Sequence, residues 1–147
     1  MDPASSGDEP YLLAKSLPQC AVIVGRSRVA SAKLGLATIK PDVFVLDDGF
    51  QHRQLGRNLD ILLIDATNPF GYGYVLPRGI LREPLEGLKR ASIFILTKAN
   101  LVSEQTIEDI KLTLTHWAPQ TKIVECTHKP MKPIRLRDWG SSLTHEE

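Results

Sequence analysis

Five short apolar runs recur along the chain: Ala21 to Val24, Val43 to Leu46, Ile61 to Ile64, Ile93 to Leu96, and Ile123 to Val124 with its neighbours. They are rich in β-branched residues and separated by segments with helical spacing, so they are expected to be strands. Each run is continuous rather than alternating, which is the pattern of a strand covered on both faces. Parallel sheets with helices on either side satisfy that demand, and the expected fold class is α/β with a mainly parallel sheet.

Helices are expected over Glu9 to Ser16, Val29 to Ala37 and Ser103 to His116. The last has the clearest start: Ser103 is placed to cap it, and Ile107, Ile110, Lys111 and Leu114 follow at the spacing of one face. Pro119 then stops it. A long loop, Asn68 to Glu86, carries Gly71, Gly73, Gly79 and three prolines. Loops of that length inside a compact domain are usually functional or mobile. The tail from Lys129 to Glu147 has little periodicity and reads as a linker or the start of something further on.

A chain of 147 residues is the size of one ordinary domain and can bury a real core. Eighteen Lys plus Arg against 17 Asp plus Glu leave a formal charge of +1, so no global basic field points to nucleic acid. Any preference for anions must be local. Cys20 and Cys126 lie in apolar runs without CxxC spacing, and are expected to be reduced core thiols of a cytosolic protein. No apolar run reaches the roughly 18 residues that a membrane span requires. The fragment itself is therefore expected to be soluble.

The sharpest local feature is VFVLDDGFQH, in which an apolar run ends in Asp47, Asp48 and Gly49. Ligands of open parallel sheets sit beyond the carboxyl ends of the strands, so both carboxylates would face that crevice. Paired acids there suit Mg²⁺, which takes one or two carboxylates plus phosphate oxygens, the Walker B role in phosphoryl transfer. The plainer reading is that the acids only cap the next turn. His52 lies four residues beyond Asp48, near enough to face a phosphate, or else to pair with a neighbouring acid. His116, His128 and His145 have no partner pattern.

The loop NPFGYGYVLPRGILREP brings glycines and aromatics up to Arg78, Arg82 and Glu83. Glycines let backbone N–H groups approach an anion, and guanidinium forks match pairs of phosphate oxygens. Glu83 is a candidate further metal ligand. A solvated surface loop with scattered charges is the alternative. Gly25-Arg26-Ser27-Arg28 could set two guanidinium groups at a helix N-terminus, where anions are favoured. Thr97-Lys98-Ala99-Asn100 follows the fourth run, where nucleotide-binding folds often place a base-reading turn; it is equally the start of an ordinary loop. No GxxxxGK[ST] occurs in the chain, so the phosphate cradle of a P-loop enzyme is missing from it.

Taken together, GDEPYLLAKSL, VIVGRSRVASA, the block running from VFVLDDGFQH through DILLIDATNPFG to LPRGILREPL, and FILTKANL resemble the tetraacyldisaccharide 4'-kinase family of lipid A biosynthesis. The resemblance runs from about Gly7 to Pro130, and the order and spacing of the central block make it specific. It implies a P-loop kinase-like αβα core with a second, smaller α/β lobe. It also implies transfer of the γ-phosphoryl of ATP to the 4'-hydroxyl of a tetraacylated glucosamine disaccharide 1-phosphate, giving lipid IVA. Mg²⁺ and ATP are the implied cofactor and co-substrate. The implied place is the cytoplasmic face of the inner membrane, held there peripherally through parts this chain lacks.

Residue by residue, the resemblance makes Asp8 of GDEP the base towards the acceptor hydroxyl. Asp47, Asp48 and Glu83 become the acids near Mg²⁺. Arg82 and His52 match groups that hold phosphates or the substrate head, and Arg26 and Arg28 are candidates for the lipid 1-phosphate. Met1 to Ser6 stand where the family has a membrane-contacting helix and the P-loop, and the chain stops at Glu147 before the second lobe. The chain therefore reads as a central fragment, inactive alone: 1–128 a partial kinase core, 129–147 a linker or the start of the second lobe. Loss of the P-loop strand, which lies centrally in such sheets, would leave neighbouring strands unpaired and the domain marginal or aggregation-prone. Two other readings stand beside the kinase. One is a non-enzymatic, Mg²⁺-binding phospho-receiver-like module using Asp47, Asp48, Asp65, Thr97 and Lys98, although a receiver keeps its Thr and Lys on separate strands. The other is a pseudoenzyme that binds a partner.

Overall fold

Helix α4, Glu104–Trp117, starts where its cap predicts: the Ser103 hydroxyl accepts from the Thr106 backbone N–H at 3.2 Å. Its apolar residues Ile107, Ile110 and Leu114 recur at helical spacing and are buried, so one stripe of the helix faces a core. Ala118 closes the last turn and Pro119 prevents continuation. The computed structural model to which α4 belongs describes residues 3–130 and 133. The chain divides into two compact units, Met1–Asn58 and Leu59–Glu147.

The second unit is built on three parallel strands, β1 (Ile61–Asp65), β2 (Ile93–Thr97) and β3 (Lys122–Glu125), in the order β1-β2-β3. Register runs from Ile61 opposite Ile93 to Asp65 opposite Thr97, and from Ile93 opposite Lys122 to Leu96 opposite Glu125. Helix α4 makes the β2 to β3 crossover, while a long irregular segment with a 3₁₀ turn at Leu85–Arg90 connects β1 to β2. Phe94 and Leu96 of β2 and Leu114 of α4 are fully buried, joined by Ile64, Leu88, Ile107 and Ile110. The class is α/β with an all-parallel sheet, and three of the five expected strands are present.

Coverage of both sheet faces, expected from the continuous runs, is only partly realised. On β1, Ile64 is buried but Leu63 is 63% exposed. The hydrophobic pattern records what a strand can bury, whereas the layer that covers it must come from elsewhere in the fold.

The first unit contains the short helix α1 (Pro3–Ser6), α2 (Asp8–Ser16) and α3 (Arg28–Thr38). Ser27 caps α3 by accepting from the Ala30 N–H at 3.3 Å. Runs 21–24 and 43–46, both expected to be strands, form none. Both reach α3 at one point: a Cβ at Gly35 would lie 3.1 Å from Ile23 Cδ1 and 3.1 Å from Phe44 Cε1. A strand needs a neighbour for its N–H and C=O groups, and Val43 and Val45 instead remain 73% and 92% exposed.

Cys20 and Cys126, expected in the core, are both free and exposed. Cys20 follows the end of α2 in a turn, and Cys126 lies one residue beyond β3, its N–H still bonded to Leu96 O at 2.8 Å. Apolar neighbours in sequence did not carry their side chains inward: neither α2 nor β3, the elements that precede them, contains a fully buried residue. The Asn100 side chain pins the same exit by accepting from the His128 N–H at 2.7 Å and donating to its C=O at 3.2 Å. Most of the tail from Lys129 to Glu147, with Trp139 and His145, lies outside the described residues. No helix among the described residues is long and apolar enough to cross a membrane.

Candidate active site

In the first unit, run 43–46 leads directly into the turn that bears Asp47 and Asp48, both exposed. Asp48 has φ 46°, a left-handed conformation that Asp tolerates better than most side chains. Gly49, buried behind it, accepts at its carbonyl from the His52 N–H at 2.9 Å. Arg57 Nη1 donates to the same Gly49 O at 2.9 Å and also to His52 O. The acids thus ride on a tied turn rather than a free loop. His52 is half-buried, and its Nε2 has no hydrogen-bond partner among the described residues.

Asp8 is the first residue of α2 and is exposed there. An acid at that position also complements the helix dipole, and Lys15 does the same at the other end. Arg26 and Arg28 are exposed around the Ser27 cap of α3, as the Gly-Arg-Ser-Arg spacing suggested.

In the second unit, loop 68–84 is more built than its composition implies. A 3₁₀ turn at Gly71–Gly73 and a bridge between Val75 and Leu81 tie it together. Backbone bonds Gly79 N to Val75 O, Ile80 N to Gly71 O and Leu81 N to Tyr74 O, at 3.1, 3.2 and 3.2 Å, complete it. Gly79 is obligatory in this arrangement, since a Cβ there would lie 2.1 Å from Tyr74 O. Arg78 stacks its guanidinium 3.6 Å above the Tyr74 ring. Arg82 is exposed, whereas Glu83 is 18% exposed and bonded to Arg90 at 2.8 Å. That bond raises the Arg90 pKa above its ordinary value.

The carboxyl ends of β1 and β2 carry a second polar cluster. Asp65 accepts from Lys98 Nζ, from the Thr67 hydroxyl at 2.6 Å and from the Thr67 N–H at 3.0 Å, and Thr97 Oγ1 donates to Ile64 O at 3.3 Å. These bonds, the one from Lys98 foremost, hold the Asp65 carboxyl down at about 2. The sequence offered Asp65 for a receiver-like alternative, and Thr97 and Lys98 for that alternative or for a base-reading turn, and gave Arg57 no role. Nothing in the spacing of an arginine eight residues beyond Gly49 announces that it folds back.

The carboxylates of the acidic turn are hard oxygen donors, the chemistry that Mg²⁺ prefers. Among the described residues no three His, Cys, Asp or Glu side chains gather into a cluster that could hold a metal. Two carboxylates fit an ion that takes its remaining ligands from water and phosphate oxygens, so Asp47 and Asp48 suit it. Glu83, in the second unit, is bonded to Arg90.

Comparison with known proteins decides among these readings. The family described as Tetraacyldisaccharide-1-P 4'-kinase matches residues 1–144. The chain belongs to that family. A tetraacyldisaccharide 4'-kinase of Halothermothrix orenii is 41% identical over 126 residues, covering 86% of this chain and 33% of that protein. One from Anaeromyxobacter sp. strain Fw109-5 is 45% identical over 132 residues, covering 88% and 34%, and one from Anaeromyxobacter dehalogenans strain 2CP-1 is 45% identical over 140 residues, covering 94% and 37%. The chain spans about a third of the length of these 4'-kinases. No solved structure matches it. Membership of a kinase family leaves the receiver-like reading unfavoured, although Asp65 and Lys98 do meet.

Proposed function

We propose that this chain is the part of a tetraacyldisaccharide 4'-kinase that carries its acidic site, within a P-loop kinase-like αβα core spanning 1–128. Residues 129–147 are then a linker or the start of a second lobe. The observation that carries the reading is the exposed Asp47–Asp48 pair on a tied turn, in a chain of this family. The reaction forms a bond between the sugar 4'-oxygen and the γ-phosphorus of ATP and breaks the β–γ bridge, so that ADP leaves. Asp8 takes the proton of the 4'-hydroxyl, which requires hydrogen-bond reach to it. Asp47, Asp48 and Glu83 would hold Mg²⁺, which would supply positive charge to offset that of the phosphates. His52 and Arg82 orient phosphates or the sugar head, and Arg26 and Arg28 receive the 1-phosphate of the lipid.

Positioning and charge neutralisation supply most of the rate in phosphoryl transfer, so these side chains act mainly by being fixed in place. The acceptor is a tetraacylated glucosamine disaccharide 1-phosphate, and the product is lipid IVA, made at the cytoplasmic face of the inner membrane by a peripherally bound enzyme. No residue here is assigned to cradle the ATP phosphates, because the chain has no GxxxxGK[ST] segment. The test is transfer of labelled γ-phosphate from ATP to the tetraacyldisaccharide 1-phosphate. A full-length kinase containing this sequence should show it, and the 147-residue chain alone should not. Absence of transfer by the full-length protein overturns the reading.

A further inference from the structure

The turn that presents Asp47 and Asp48 has two features that oppose its own stability. Two carboxylates stand side by side in sequence, and Asp48 adopts the left-handed conformation. Within the turn the His52 N–H donates to Gly49 O. A further tie comes from a residue beyond the turn. Arg57 returns its guanidinium to the Gly49 carbonyl at 2.9 Å and to the His52 carbonyl, spanning both ends of the segment 49–52. Arg57 is half-buried, which strengthens a charged donor bonded to neutral carbonyls.

We propose that Arg57 is a positioning residue of the acidic turn: its guanidinium locks the Gly49 and His52 carbonyls, and so fixes the carboxylates of Asp47 and Asp48 for a divalent cation. This rests on the metal-holding role given to those acids above. One guanidinium nitrogen, Nη1, reaches both carbonyls. Lysine brings the same charge on a stem of different length and without the planar group, and is expected to restore the two contacts only in part. The lock also fixes the backbone of His52, the residue assigned to phosphate.

The experiment uses the 147-residue chain with two readouts, amide hydrogen exchange at His52 and Mn²⁺ binding followed by loss of the free-ion EPR signal. Arg57→Ala should speed exchange at His52 at least tenfold and weaken Mn²⁺ at least tenfold, with exchange in β1, β2 and β3 unchanged. Arg57→Lys should recover part of both. Arg57→Ala within twofold of the parent in either readout overturns the proposal. If Arg57→Ala also loses the helical circular dichroism signal, Arg57→Gln takes its place under the same thresholds. A parent chain that binds no Mn²⁺, or an Asp48→Asn variant that binds it as the parent does, defeats the metal role of the acids instead. In that event exchange at His52 alone decides whether Arg57 holds the turn.

Discussion

Lys98 donates its ammonium to the carboxylate of Asp65 across the carboxyl ends of neighbouring parallel strands, one residue beyond the pair Asp65 and Thr97. The contact joins the exits of β1 and β2, where the chain leaves the sheet towards loop 68–84 on one side and α4 on the other.

That pair makes the second unit acid-sensitive. The Asp65 carboxyl is lowered from 3.8 to about 2, first by Lys98 and then by Thr67. A carboxylate with a depressed folded-state pKa stabilises the fold above its unfolded value and loses that contribution as pH falls through the folded one. Stability of the second unit should thus decline between about pH 4 and pH 2. Asp65→Asn should flatten that part of the urea-midpoint profile, and Lys98→Ala should move the Asp65 titration, followed by NMR, back towards 3.8. An unchanged profile in Asp65→Asn would assign the acid sensitivity to other groups.

Helix α4 depends on the residue that caps it. Ser103→Ala removes the acceptor for the Thr106 N–H and should cost about 1 kcal/mol in a urea melt of the second unit. Ser103→Asp should restore most of it, because the side chain again accepts at the helix N-terminus.

Loop 68–84 should fail at Gly79. Gly79→Ala places a methyl group inside the Tyr74 carbonyl, so the Val75–Leu81 bridge and the Arg78–Tyr74 stack must open together. Trypsin should then cut after Arg78 and Arg82 on the order of tenfold faster, while α4 keeps its protection.

Asp8 should separate chemistry from binding. In a full-length kinase containing this sequence, Asp8→Ala should lower kcat by about 10² to 10⁴ with nucleotide affinity little changed. Equal losses in turnover and nucleotide binding would remove the base role.

Glu83 answers to two demands. Glu83→Gln gives up a charge-assisted bond to Arg90 in a half-buried place and should destabilise the second unit by about 1–3 kcal/mol. If it also holds Mg²⁺, the same substitution in the full-length kinase should raise the Mg²⁺ concentration needed for half-maximal rate. Lost stability with an unchanged Mg²⁺ requirement would leave Glu83 a structural residue.

Much of the architecture was legible because it is local. Helix α4 follows from Ser103, the stripe Ile107, Ile110 and Leu114, and Pro119, all interactions within a few residues. The Ser27 cap of α3 is equally local, although the sequence was read there only for its two arginines. Strands β1, β2 and β3 were readable from β-branched runs, each of which found a parallel neighbour. The site was legible as residue types: adjacent acids before a glycine, arginines in a glycine-rich loop, and an ordered series of motifs specific to one family.

By itself, then, the sequence determined the family, the helices with their caps, and which side chains bear the chemistry. The tertiary structure decided what those side chains do with one another. Val43 to Leu46 had the composition of a strand, but a ladder is made with another segment, and none pairs with it among the described residues. Cys20 and Cys126 had apolar neighbours in sequence, but both are exposed, because burial depends on what packs against a side chain in space. The partners of Asp65, Glu83 and Gly49 are Lys98, Arg90 and Arg57, reached by folding back over 33, 7 and 8 residues. Hydrogen bonds and ion pairs depend on distance through space, and separation along the chain sets no such distance until the backbone has closed.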